Sequence, residues 1–152
     1  MNIADFLTED NITLDLKALS KEEAIRRVAE SLRNSESISD FELFLKGVFE
    51  RESVKTTGIG NHVAIPHART DAVVEFTIAF ARVPAGIEFD SVDGKPVKFI
   101  FLMGTPKEKG LSSYLTTLAH LTRLVSKQSF QETLLKAKEP GEVIEEFRRF
   151  EQ

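Results

Sequence analysis

The chain has 152 residues, of which 41% are hydrophobic and 29% are charged, and its formal net charge is -4 at pH 7. This length is that of one domain, and this balance is typical of a folded globular chain rather than a disordered one. The weak negative charge gives no electrostatic reason to expect nucleic acid as a partner. Cysteine is absent, which excludes disulfides and thiolate metal sites.

The N-terminal sequence lacks the basic-then-apolar order of a signal peptide, and no apolar run approaches the roughly 20 residues that span a bilayer. No repeat, low-complexity tract or linker divides the chain. We therefore expect a single domain over residues 1–152, located in the cytoplasm.

Two amphipathic helices are predicted in the first third of the chain. Ser20 and Glu23 form the S-x-x-E pattern of a helix N-terminus, and apolar residues at helical spacing follow up to Leu32. Asp40 is a candidate cap for a second helix with an apolar stripe that ends near Arg51.

The middle of the chain changes to patterns of turns and strands. Thr56 to His67 contains two glycines, a short apolar run and a proline, which predicts a turn leading into a short strand that stops at Pro66. Asp93 and Gly94 mark a further turn. Segments rich in β-favouring residues predict three more strands, at 76–83, 87–92 and 97–103.

The last third is predicted to be helical. Leucine spacing predicts a helix from Tyr114 to Val125, Ser129 and Glu132 form another capping box, and Pro140 lies near the start of a final amphipathic helix. Helices, then strands, then helices predict the α/β class, as a three-layer sandwich with a central mixed sheet covered by helices on both faces.

The stretch from Arg51 to Ala68 carries the residues with the clearest chemistry. The imidazole of His67 is a nucleophile near neutral pH, because the reference pKa of histidine is about 6.5, and Pro66 helps to fix it. Phosphoryl transfer depends mainly on positioning and electrostatic stabilisation. The groups available for this are the planar fork of Arg51, the hydroxyls of Thr56 and Thr57, and the backbone N–H groups that Gly58 and Gly60 allow to face an anion.

Several of these residues also have structural interpretations. From the residues alone, His67 is a structural histidine as readily as a nucleophile, and Arg51 can simply interact with the negative end of its own helix. Glu52 either orients Arg51 or is solvated. His62 is interpreted as an exposed loop residue, and together with His67 it lacks the third ligand of a metal site. We predict no metal and no cofactor.

The segment resembles the signature of the enzyme IIA proteins of the mannitol/fructose class of the bacterial phosphotransferase system, which includes nitrogen-regulatory members. That signature is a helix ending in Arg-Glu, then Thr-Gly-Ile-Gly, then Ala-Ile-Pro-His. Residues 87–97 (IEFDSVDGKPV) resemble the family's next recognisable stretch. The helix from Tyr114 and the C-terminal helix also fall where the family has them, so the resemblance covers nearly the whole chain.

The resemblance implies that His67 accepts a phosphoryl group on Nε2 from the histidine-containing phosphocarrier protein, which enzyme I charges from phosphoenolpyruvate. The acceptor would be a cysteine of a IIB domain, and membrane association would be indirect, through a partner. In a nitrogen-type relative, the phosphorylation state would instead select a regulatory target. Arg51 matches the arginine that family members place near the phosphate.

One position departs from the family pattern. Members commonly carry a second active-site histidine at the start of the helix after the last core strand, where this chain has Tyr114. His120 is six residues further on, a rotation of about 240° at about 100° per residue, so it does not replace that histidine. Tyr114 can donate its O–H to a phosphate oxygen but supplies no imidazolium. A relative that binds but no longer transfers is therefore a third interpretation.

Overall fold

A six-stranded mixed sheet forms the centre of the fold, which the computed structural model describes over residues 2–152. Its strands are Ile12–Thr13 (β1), Gly58–Gly60 (β2), Val63–Ala64 (β3), His67–Arg69 (β4), Thr77–Ile87 (β5) and Val97–Thr105 (β6). The order is β1-β5-β6-β3-β2, and β4 also pairs with β6. Strand β6 therefore lies between the antiparallel β5 on one side and the parallel β3 and β4 on the other.

Helices cover both faces of this sheet, which confirms the predicted three-layer α/β class. They are Lys21–Glu30 (α1), Phe41–Val54 (α2), Leu111–Val125 (α3), Gln128–Lys136 (α4) and Pro140–Phe150 (α5). Helices α1 and α2 pack with one apolar cluster, and α3, α4 and α5 pack with the other. In the part of the chain that the structure describes, no helix has both the length and the apolar character needed to cross a membrane.

Alternation along the strands explains why the two faces carry different side chains. Because successive residues of a strand point to opposite faces, Phe80, Phe99 and Phe101 pack toward α3–α5. Ala79 and Ala81 pack toward α1 and α2. The large rings therefore fill the three-helix side, and the small side chains allow α1 and α2 to approach the sheet closely.

The helix starts predicted from capping residues are mostly confirmed. The Ser20 hydroxyl accepts from the Glu23 N–H at 3.1 Å, and the Asp40 carboxylate accepts from the Leu43 N–H at 3.1 Å. Pro140 is the first residue of α5. The predicted capping box at Ser129 is wrong, because Lys127 is the N-cap of α4 and Ser129 already lies inside the helix.

Three boundaries differ from prediction. Helix α2 continues to Val54, three residues beyond Arg51, and α3 begins at Leu111, three residues before Tyr114. Strand β5 runs on through Pro84 to Ile87 with a register shift, so the separate strand predicted at 87–92 is wrong. The turn at Asp93 and Gly94 is confirmed, since the Gly94 N–H donates to the Ser91 carbonyl.

A buried arginine joins the sheet to the three-helix layer. Arg82 in β5 is only 8% exposed, and its guanidinium donates to the carbonyl oxygens of Leu134 and Ala137 at 2.8 and 2.7 Å. It also donates to the Leu14 carbonyl at 2.9 Å. Because the last carbonyls of a helix lack intrahelical donors, Arg82 completes the end of α4 from the sheet side.

Replacing Arg82 with Met is expected to lower the free energy of unfolding by about 3 kcal/mol, because it leaves several buried carbonyls without a donor. Urea denaturation measures the loss. Arg123→Met is the matched control, since Arg123 is exposed on α3, and it is expected to cost less than about 0.5 kcal/mol. Equal losses in the two variants would contradict the capping role of Arg82.

Candidate functional site

An interrupted strand positions His67. Val63 of β3 pairs with Phe99, and His67 of β4 pairs with Met103, so both short strands pair with β6 in the same register. Pro66 interrupts them because it has no N–H to donate, although its carbonyl accepts from the Met103 N–H at 2.9 Å. The prediction that a short strand stops at Pro66 is confirmed, since β3 ends at Ala64, but strand pairing then resumes at His67, which the sequence did not predict.

The position of His67 determines which face its side chain occupies. Side chains alternate between the two faces of a strand, so the even spacing between Val63 and His67 places both on the same face, and Val63 packs with the α3–α5 cluster. Ala68 lies on the opposite face and packs with the α1–α2 cluster. The imidazole accordingly lies beside α3, with its centre 5.6 Å from the ring centre of Tyr114.

The hydrogen bond of His67 fixes the tautomer of its neutral form. Nδ1 lies 3.0 Å from the carbonyl oxygen of Ile65. A carbonyl oxygen only accepts, so Nδ1 carries the hydrogen, and Nε2 is left with its lone pair. This is the nitrogen that the family resemblance assigns to the phosphoryl group.

The surroundings of His67 favour its neutral form. Burial lowers the pKa of His67 below its ordinary value of 6.5, and the positive charge of Arg51 lowers it further. The hydrogen bond to Ile65 and the charge of Glu52 raise the pKa, but burial is the largest cause. At neutral pH the ring is therefore uncharged and able to attack an electrophile.

Helix α2 brings Arg51 to the same place. A Cβ added to Gly47 would lie 3.2 Å from the Cβ of Ala68, so the glycine allows α2 to lie close against β4. Arg51 is in the last turn of α2, and its Nη1 donates to the Lys55 carbonyl at 2.8 Å. The structural interpretation of Arg51, an interaction at the end of its own helix, is thus observed, and the same side chain also lies beside His67.

Two shallow depressions meet at Arg51 and His67. The first, which we call the basic depression, runs between α2 and β4; besides the neutral His67, it is lined by the charged residues Arg51, Lys46, Arg69, Lys107, Glu50 and Asp71. The second, the apolar depression, lies beside α3, and its apolar lining residues are Ile59, Ile65, Val92 and Leu118. An anion bonded to Nε2 of His67 would lie close to positive charge and to apolar surface at once.

Glu52 is a buried anchor for the turn that follows α2. Its carboxylate accepts from the Thr57 N–H at 2.7 Å and from the Thr57 hydroxyl at 2.6 Å. Lys21 of α1 lies 2.8 Å from the same carboxylate. Glu52 is 8% exposed, which excludes the solvated alternative, and its hydrogen bonds position Thr57 rather than Arg51.

The groups predicted to surround the anion have protein partners in this structure. The Thr56 hydroxyl donates to the Phe89 carbonyl at 3.0 Å and accepts from the Gly58 N–H at 3.1 Å. With the Thr57 hydroxyl bonded to Glu52, these groups maintain the turn, because buried polar groups need partners. Any contribution of Thr56, Thr57 and Gly58 to phosphate binding is therefore through positioning.

Gly60 serves the geometry of the same turn. Its φ is +96°, and a Cβ there would lie 3.2 Å from the carboxylate of Asp93. That carboxylate accepts from the Asn61 N–H at 2.9 Å. Gly60 therefore permits a tight connection between β2 and β3, which a larger residue would strain.

Tyr114 contributes an unpaired donor to the site. Its side chain is 5% exposed, and its hydroxyl has no hydrogen-bond partner among the described residues. Burial raises the pKa of Tyr114 to about 12, against the opposing charges of Arg51 and Arg69. The hydroxyl consequently keeps its proton at neutral pH and remains a hydrogen-bond donor.

The other two histidines have different partners. Nδ1 of His62 lies 2.8 Å from the Pro96 carbonyl, at the start of β6. Nε2 of His120 lies 2.6 Å from the carboxylate of Glu151, near the end of the chain. His62 is half-buried rather than exposed, and His120 packs beside the C-terminal helix, away from Tyr114 on its own helix.

The fold and the site correspond to a known class of protein. The family described as "Phosphoenolpyruvate-dependent sugar phosphotransferase system, EIIA 2" matches residues 5–149. The chain belongs to this family.

Individual relatives carry two kinds of name. The chain is 37% identical over 126 residues to the fructose-specific EIIA component of Haloferax volcanii, covering 83% of this chain and 81% of that protein. It is 30% identical over 145 residues to the fructose-specific EIIABC component of Bacillus subtilis, covering 95% of this chain but only 23% of that longer protein. The crystal structure of nitrogen regulatory protein IIA-Ntr from Neisseria meningitidis superimposes with a TM-score of 0.88 and 32% identity, over 95% of this chain and 98% of that one.

Replacing Arg51 with Gln is expected to raise the pKa of His67, because a positive charge that disfavours the imidazolium is removed. An NMR titration that follows a ring proton of His67 measures this pKa. Lys46→Gln, which removes a charge elsewhere in the basic depression, is the control and should leave the pKa nearly unchanged. A His67 pKa at or above 6.5 in the wild type, or no rise in Arg51→Gln, would contradict this electrostatic account.

Proposed function

We propose that His67 is a phosphoryl acceptor and that the chain carries the group between two proteins. The observation that carries this proposal is the hydrogen bond from Nδ1 of His67 to the Ile65 carbonyl, which leaves Nε2 with its lone pair in a ring that lines the same depression as Arg51. A neutral imidazole held in this way is an activated nucleophile that needs no general base.

The transfer balances without movement of a proton. The lone pair of Nε2 forms a bond to phosphorus while the electron pair of the donor's P–N bond returns to the donor imidazole. The product is a phosphohistidine whose ring keeps hydrogen on Nδ1, and the Ile65 carbonyl stabilises the positive charge that the ring acquires. Arg51 then interacts with the phosphoryl oxygens, where a guanidinium fork fits well.

The donor in this proposal is the histidine-containing phosphocarrier protein, charged by enzyme I from phosphoenolpyruvate, all in the cytoplasm. The acceptor is a cysteine of a IIB domain of fructose or mannitol type. Similarity to fructose-specific components supports this acceptor. Sugar selection would then belong to partner domains, since His67 handles only the phosphoryl group.

A second candidate is a regulatory protein whose phosphorylation state decides which target it binds. The high structural similarity to a nitrogen regulatory protein favours it. Both candidates use the same phosphorylation of His67 and differ in the step that follows. Incubation of the phosphorylated chain with a fructose-type IIB domain separates them, because loss of label to the IIB cysteine supports transfer, and retention of label supports regulation.

Labelling with phosphoenolpyruvate, enzyme I and the carrier protein tests the phosphorylation itself. We expect acid-labile, alkali-stable phosphate on the wild type and none on His67→Ala. His62→Ala is a matched histidine control, since His62 bonds to Pro96 instead of facing the site, and it should be labelled like the wild type. No label on the wild type defeats the proposed function, and undiminished label on His67→Ala defeats the assignment of the residue.

Replacing Tyr114 with Phe is expected to separate function from stability. Removal of a buried hydroxyl without a partner should raise the free energy of unfolding by about 1 kcal/mol. The same change should slow phosphoryl acceptance by about tenfold, because a donor to the phosphoryl oxygens is lost. Urea denaturation and the labelling rate measure the two effects. A less stable variant with an unchanged labelling rate would show that Tyr114 is purely structural.

Tyr114→His tests whether the tyrosine limits transfer. If it does, the variant should transfer faster than the wild type, because histidine can supply a cationic donor where tyrosine supplies a neutral one. The single-turnover transfer rate from the carrier protein is the measurement. A rate equal to that of the wild type would mean that the departure at Tyr114 does not limit the reaction.

A further inference from the structure

Arg69 lies two residues beyond His67 in β4, and nothing in the sequence motif assigns it a role. Their partners on β6 are Met103 for His67 and Thr105 for Arg69, so both residues belong to one regular run of pairing. Because residues i and i+2 of a strand project to the same face, Arg69 and His67 both leave the sheet on the side of α3. Ala68 between them packs into the opposite, α2 side.

The present partner of Arg69 is a main-chain carbonyl. Its Nη2 donates to the carbonyl oxygen of Lys107 at 2.7 Å, in the segment that connects β6 to α3. This bond uses one of the five N–H donors of a guanidinium. Arg69 is exposed, and it lines the basic depression together with His67 and Arg51. The side chain is therefore available to an anion in this depression.

Tyr114 connects Arg69 to the reacting end of the site. The positive charges of Arg51 and Arg69 both lower the pKa of Tyr114 against the larger effect of burial, so both guanidiniums act on this hydroxyl. The Tyr114 hydroxyl is buried without a partner in the described part of the chain, and its ring lies next to the His67 ring. Two cations thus act on a tyrosine whose ring lies against the ring of His67.

We propose that Arg69 is a second phosphate-binding guanidinium of this site, which exchanges the Lys107 carbonyl for a phosphoryl oxygen once His67 is phosphorylated. The inference rests on the proposed function. A phosphoryl group with a charge near -2 is a stronger acceptor than a neutral carbonyl, because charge-assisted hydrogen bonds are roughly twice as strong. The exchange releases the segment that precedes α3, so the site would report its phosphorylation state at the surface.

Phosphoramidate, a small phosphoryl donor, tests the chemical role without any partner protein. The P–N bond of phosphoramidate breaks, the group joins Nε2 of His67, and ammonia leaves. We expect Arg69→Gln to lower the rate of labelling by about tenfold, and Arg69→Lys to recover part of the loss because the charge returns without the planar fork. Lys46→Gln removes an equal charge from the same depression and should stay within about twofold of the wild type.

A second readout follows the exchange of partners directly. The backbone amide NMR signals of residues 107–110 are expected to shift when the wild type is phosphorylated, because the Lys107 carbonyl loses its bond from Arg69. In Arg69→Gln the same signals should already be shifted before phosphorylation and should change little after it. Thermal unfolding of Arg69→Gln and Lys46→Gln tests that both variants remain folded, as expected when an exposed side chain is replaced.

The outcomes distinguish a failure of the proposed function from a failure of the role of Arg69. No label on the wild type from either phosphoramidate or the carrier protein defeats the proposed function. Label on the wild type, with Arg69→Gln labelled at an equal rate, defeats only the role of Arg69 and leaves it as a loop anchor. Equal losses in Arg69→Gln and Lys46→Gln would also overturn the inference, since a general positive field would then explain the effect.

Discussion

The site depends on the pairing of a short, interrupted strand with β6. Strands β3 and β4 follow β6 in one register, and the Ile65 carbonyl between them accepts from Nδ1 of His67. One strand therefore determines the face of the imidazole, its tautomer and the nitrogen that remains free. A shift of that register by one residue would place His67 on the α2 side, because side chains alternate at every residue.

The electrostatics of the site follow from two adjacent residues of α2 with opposite effects. Arg51 lies in the depression and disfavours the imidazolium, whereas Glu52 lies in the core and favours it. Glu52 is buried because it also anchors Thr57 and pairs with Lys21, and a buried carboxylate needs such partners. Burial of the ring decides the balance, so the neutral nucleophile is a property of the packing more than of any single charge.

Much of the fold follows from the sequence, because caps and apolar spacing are local. Ser20, Asp40 and Pro140 mark helix starts that the structure confirms. The two-residue strands β1 and β3 are too short for a periodic pattern, and their pairing with β5 and β6 is a tertiary effect. For the same reason the sequence alone does not indicate that strand pairing resumes after Pro66.

The residues of the site were predictable to different extents. His67 and Arg51 stand in a recognisable motif, and the structure brings them together. Thr57 was expected near the anion, but the sequence does not show that Glu52 is buried and takes its hydroxyl. Arg69 was missed, although its i+2 spacing from His67 is a usable signal once β4 is known to be a strand. Side-chain pairing across the fold is the part that local patterns do not contain.

The unphosphorylated site holds donors in excess of acceptors. The Tyr114 hydroxyl has no partner within residues 2–152, and the guanidiniums of Arg51 and Arg69 each contact a neutral main-chain carbonyl. An unpaired buried donor costs free energy. In the proposed function, transport and regulation would both begin with a phosphoryl group on His67, so the anion that these donors would meet is the same in the two cases. Val54 and Val92 are exposed beside the two depressions, so a protein that docks over the proposed site would meet apolar surface next to the charged groups.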